Sequence, residues 1–136
     1  MANVFDVAKY ILNSVGGDIS TMKIHKLCYY SQAWSLAWKE TLFNEDFEAW
    51  PNGPVCRELF NIHKGKFYLT GRDIPNNLLT NLTDEEKSVI NKCIEEYGKY
   101  SGAQLNELTR KEGPWKNTGR NQIINKEMMG DFYRNL

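Results

Sequence analysis

The sequence predicts an all-α fold: a compact single-domain helical bundle around a central helix, with room for one small two-stranded element. Apolar residues return every three to four positions through most of the chain. Pairs with capping-box spacing, Thr83 with Glu86 and Ser101 with Gln104, stand ahead of two of these runs. The chain has 136 residues, 41% of them apolar, which suffices for one domain spanning 1–136 to bury a core without a structural metal or disulfide.

The first helix is expected over residues 4 to 15, where Val4, Ala8, Ile11, Leu12 and Val15 form one stripe between a capping Asn3 and Gly16-Gly17. The next, from about Ser20 to Lys39, carries Ile24, Leu27, Cys28, Tyr30, Ala33, Trp34, Ala37 and Trp38. That arc is too wide for a helix with one neighbour, so this is the expected central helix. Residues 40 to 53 lose the helical period, and "LFNEDFEAW" reads as a short strand or an aromatic-pinned loop. Pro51 restricts Trp50 to extended conformations, Asn52-Gly53 supplies a turn, and Pro54 suits the first position of a helix through Leu59 and Phe60. A short strand is expected near Phe67 to Leu69, followed by helices over 84 to 97, from Ser101 through Leu108, and from about Asn121 to Tyr133. Pro51, Gly53 and Pro54 thus form a rigid corner that stops one element and launches another.

Charge and composition exclude several function classes. Lys plus Arg and Asp plus Glu number 17 each and are evenly spread, except between Arg110 and Lys126, where five basic residues face only Glu112. Such a cluster can meet phosphate, but an ordinary solvated face is the simpler account, so nucleic acid is disfavoured as a partner. Cys28, Cys56 and Cys93 are odd in number and widely spaced, which fits a reducing cytoplasm better than a secreted disulfide framework. No apolar run approaches the roughly 18 residues of a membrane span, and Asp6 and Lys9 make the N-terminus read as part of the fold rather than a cleaved leader.

The chemistry-bearing residues form no recognisable catalytic set. His25 and His63 lack metalloprotease spacing, and His25 with Cys28 gives only two zinc ligands, so no metal or cofactor is expected. Cys56, near a predicted helix start, is the one cysteine placed for thiolate stabilisation, with His25 or His63 as a base. An ordinary buried thiol is the simpler reading, and an enzyme is not expected. Glu45, Asp46 and Glu48 match no calcium loop and read as a solvated acidic run. Trp34 and Trp38 lie one turn apart, so both line the core or one reaches a partner. Trp50 and Trp115 each stand beside a proline in polar surroundings, as interface anchors or as lids on a small core.

Three ordered blocks carry a family resemblance. Lys26, Leu27, Tyr29, Tyr30 and Gln32 form the first; Phe47, Ala49, Trp50, Gly53, Pro54 and Val55 the second; Glu112, Gly113, Pro114 and Trp115 the third. Together they resemble the Panacea domain family, also described as SocA-like antitoxins and phage-associated GepA-like proteins. The resemblance implies a mostly helical, non-enzymatic domain that binds a cognate toxin or a host protein, in one member type as an adaptor delivering the toxin to a protease. The acidic run beside the rigid aromatic corner puts the expected partner surface at Trp50 and Trp115, with Tyr29 or Tyr30 nearby and the loop at 45 to 48, through Glu45 and Asp46, steering a basic toxin.

Overall fold

In the computed structural model, which describes residues 1–136, Asn3 starts the first helix, α1 (Val4–Val15). The Asn3 side chain accepts from the Asp6 amide while the Asp6 carboxylate accepts from the Asn3 amide, a reciprocal cap satisfying two groups the helix leaves open. Strand β1 (Ile19–Ser20) leads into α2 (Thr21–Ala37), capped by the Ser20 hydroxyl. Helix α2 is buried without interruption from Ile24 to Ala33 because other elements meet it on several sides. Two of its buried polar side chains are matched: the Ser31 hydroxyl donates to the Leu27 carbonyl, and Gln32 donates to the Phe43 carbonyl while accepting from the Leu42 amide.

Strands β2 (Phe47–Trp50) and β3 (Gly53–Cys56) form an antiparallel hairpin with Trp50 opposite Gly53 and Phe47 opposite Cys56. The free edge of β2 is covered by residues 121–124, whose backbone exchanges hydrogen bonds with Phe47 and Ala49. Helix α3 (Arg57–His63) follows directly, and β4 (Tyr68–Leu69) then pairs antiparallel with β1. Helices α4 (Asp84–Tyr97) and α5 (Gly102–Arg110) both start with the capping boxes expected for them. Then come the short α6 (Gly113–Lys116) and α7 (Lys126–Arg134). Helix α2 packs against α1, α4, α5, α7 and β3, and no helix is long and apolar enough to cross a membrane.

The all-α bundle is therefore corrected: seven helices share the fold with two small antiparallel sheets. Two local expectations change with it. Pro54 opens no helix but sits within β3 opposite Ala49, and α3 begins three residues later at Arg57. Proline is tolerated there because its missing N–H removes only one possible ladder bond. The last helix starts at Lys126 rather than near Asn121, because Asn121 has a left-handed φ of 60° and the following residues are bound to β2.

Candidate interaction surface

The hairpin brings Trp50 and Trp115 together. Pro114 stands in the first turn of α6, fixing the backbone just ahead of Trp115, and the Trp115 indole N–H donates to the Trp50 carbonyl at 2.8 Å. The Trp50 indole is itself held: its N–H donates to Glu48 at 2.9 Å, its ring meets Phe60 edge-on at 5.0 Å, and the Arg57 guanidinium stands 5.3 Å from its centroid. Both tryptophans are half-buried. They line a cleft of about 370 Å³ together with Pro51, Lys116, Thr118 and Arg120.

The corner beside this cleft is tightly built. Gly53 has a φ of 126°, and a Cβ there would lie 2.8 Å from Lys26 Cε and 2.9 Å from Thr109 Oγ1. Only glycine combines that conformation with that approach. Arg110 donates to the Pro51 carbonyl at 3.3 Å, fastening the turn to the end of α5. Pro54 is buried in β3 behind it.

The acidic run does not form a free negative patch. Glu45 accepts from the Val4 amide at 3.1 Å and so serves the start of α1, and Asp46 pairs with Lys126. Glu48 pairs with Arg57, which with the Trp50 N–H holds its carboxyl below the usual range.

Tyr29 and Tyr30 offer no surface to a partner: they are 1% and 0% exposed. Tyr30 stacks on Tyr97 with centroids 3.8 Å apart and meets Tyr133 edge-on. Its hydroxyl and that of Tyr133 donate to one carboxylate oxygen of Glu112, at 2.7 and 2.8 Å. Burial raises the pKa of Glu112 and of both tyrosines, so the cluster keeps its phenolic protons and acts as a hydrogen-bonded joint between α2, α4, α7 and the start of α6. The expectation of partner contact at these two tyrosines gives way to a place in the core. Their position on a helix with an apolar arc on several sides already hinted at it.

The histidines meet in space, with Nε2 atoms 2.7 Å apart, and the Cys56 amide donates to His25 Nδ1. Burial, with the charge of Lys26 and the neighbouring His63 adding to it, holds His25 well below its ordinary pKa; burial also lowers that of His63. Burial also pushes the Cys56 thiol up to about 12, opposite to what a reactive thiolate needs. All three cysteines are free and buried. No group of three or more His, Cys, Asp and Glu residues is arranged to hold a metal ion.

One feature escaped the sequence. Lys26 is 1% exposed and in none of the fold's ion pairs; burial and the nearby Arg110 lower its pKa to about 7. Nothing in "IHKLCYY" marks it, apart from a charge inside a broadly apolar helix. Trp38 is 79% exposed and borders a separate groove of about 480 Å³ with Trp34, Val89, Cys93 and Leu136. Trp34 is half-buried, its N–H donating to the Tyr97 hydroxyl at 2.8 Å, so the pair divides between core and surface.

The family model described as "Antitoxin SocA-like, Panacea domain" matches residues 24–116. That span runs from the start of the buried part of α2 to the end of α6 and contains both cleft tryptophans, the Gly53 corner and Glu112. No curated protein and no solved structure matches the chain. With more than half of its length matched, the chain belongs to the SocA-like antitoxin, Panacea domain family.

Proposed function

We propose that this protein is a cytoplasmic, non-enzymatic antitoxin that neutralises a cognate toxin by binding it at the Trp50–Trp115 cleft. The observation carrying this reading is the hydrogen bond from the Trp115 indole to the Trp50 carbonyl, which joins aromatic residues 65 positions apart across one concave surface. Aromatic anchors already fixed by the fold lose little freedom on binding, and such residues dominate interface energetics. Family membership supports the antitoxin role. The neutral histidine pair and the high Cys56 pKa support a role without covalent chemistry.

The test is co-expression with the product of the gene adjoining its own. Wild-type protein should restore growth, and Trp115→Ala, shown by circular dichroism to be folded, should not. Rescue undiminished by Trp115→Ala would overturn the cleft assignment. No neighbouring product that arrests growth would favour a phage-encoded modulator of a host protein. Rescue with disappearance of the toxin on an immunoblot would make the protein an adaptor for a protease.

A further inference from the structure

The charge around the tryptophan cleft runs opposite to the acidic run that precedes it in sequence. Lys116 and Arg120 line the cleft, and Arg110 reaches its edge through the Pro51 carbonyl; none of the three is in an ion pair. The other two basic residues of this segment are neutralised, Lys111 by Glu107 and Lys126 by Asp46. The segment's one carboxylate, Glu112, is turned inward to Tyr30 and Tyr133. A chain with no net charge thus carries three uncompensated cations around two half-buried indoles.

We infer that the cleft receives an acidic segment of a partner protein, with an apolar or aromatic side chain between Trp50 and Trp115 and carboxylates facing Arg110, Lys116 and Arg120. This rests on the cleft being the partner site, and it replaces the steering of a basic toxin by Glu45 and Asp46. Both of those carboxylates are engaged within the fold, Glu45 by the Val4 amide and Asp46 by Lys126. Charges at the rim of an aromatic pocket act mainly on association rate and on the choice of partner. Arginine adds planar, bidentate recognition of carboxylates. A nucleic acid would need a longer basic track, and the flanking Glu107–Lys111 and Asp46–Lys126 pairs interrupt one.

The test follows the indole N–H resonances of the intact, ¹⁵N-labelled protein. The probes are a short Glu/Tyr peptide, its Gln/Tyr counterpart and an oligo-dT strand. The expected result is that the Glu/Tyr peptide shifts the Trp50 and Trp115 signals while leaving Trp38 unmoved, with affinity falling as salt rises. The double variant Lys116→Glu, Arg120→Glu should weaken binding by about tenfold or more, and the milder Lys116→Gln, Arg120→Gln by less. Equal shifts with the Gln/Tyr peptide, no shift with either peptide, or oligo-dT that the Glu/Tyr peptide cannot displace would overturn the inference. The growth assay separates the two readings: rescue by the charge-reversed variant but not by Trp115→Ala would keep the antitoxin reading and remove this one.

Discussion

His25 Nε2 lies 2.7 Å from His63 Nε2, and one proton must serve both. Because His25 Nδ1 accepts from the Cys56 amide, the His25 proton sits on Nε2 and points at His63. His63 then keeps its own proton on Nδ1, a buried atom without a hydrogen-bond partner. Protonating either ring would set two N–H groups against each other, which agrees with the lowered pKa of both. In the unfolded chain these imidazoles protonate near pH 6.5, while the folded pair stays neutral to lower pH. The unfolded state therefore binds more protons below about pH 6.5, and stability falls with acid there by up to about 1.4 kcal/mol per pH unit for each ring. Urea midpoints between pH 6.5 and 5 measure this. Glu112, whose raised pKa contributes with the opposite sign, is held constant by repeating the series in Glu112→Gln. A flat profile in that background would contradict the neutral pair.

Lys26 gives a separate pH window. Its folded pKa of about 7 lies well below the ordinary value, so between pH 7 and its unfolded pKa the unfolded chain holds a proton that the folded chain has lost. Stability should rise with pH from 7 to about 8.5, beyond which the raised cysteine pKa values oppose it. Lys26→Met keeps most of the volume and removes the charge. It should flatten this slope and raise stability at pH 7 by about 1–4 kcal/mol, as replacing buried charge by apolar packing does elsewhere. Destabilisation by Lys26→Met would show that the amine makes a contact the fold depends on.

The contrast between Gly53 and Gly17 tests the hairpin corner. Gly17 has a φ of 68° with open space around it, so Gly17→Ala should cost only roughly 1 kcal/mol of left-handed strain. Gly53→Ala adds contact with Lys26 and Thr109 to a backbone conformation that is nearly glycine's alone, and should cost about 2–4 kcal/mol in urea denaturation. Equal costs would mean that the corner yields, and that Lys26 moves aside.

The parts of this fold that the sequence revealed are those whose determinants are local. Asn3, Thr83 with Glu86, and Ser101 with Gln104 cap the helices expected of them because a cap is settled within four residues. Pro54 shows the limit: its fixed φ suits a helix start and a strand alike, and the choice is made by pairing with Ala49 and by residues 121–124 covering the hairpin edge. The β1–β4 pair joins Ile19 to Leu69: β4 lies where a short strand is expected near Phe67 to Leu69, but the two-residue β1 leaves no period to read. At the candidate site, prolines beside Trp50 and Trp115 marked both tryptophans, yet nothing local said that they meet. The roles of Glu45, Asp46 and Glu112 were hidden for the same reason, since the groups they bind lie 41 positions or more away for the first two and 21 or more for the third.

The Glu112 joint makes the final prediction, because it links the cleft to the core. Glu112 precedes α6 and thereby places Trp115, while its carboxylate receives the hydroxyls of Tyr30 on α2 and Tyr133 on α7. Glu112→Gln keeps an oxygen able to accept from both phenols and removes a charge that burial disfavours, so stability should change by less than about 1 kcal/mol. Glu112→Ala leaves the Tyr30 hydroxyl without its acceptor and leaves Tyr133 only the longer 3.3 Å contact to Tyr29, and should cost about 2–4 kcal/mol. The alanine variant should also broaden the Trp115 indole resonance, since its helix is no longer fastened at the first turn. If Glu112→Gln proved as damaging as Glu112→Ala, the negative charge itself would be what holds the tyrosines, outweighing the cost of its burial.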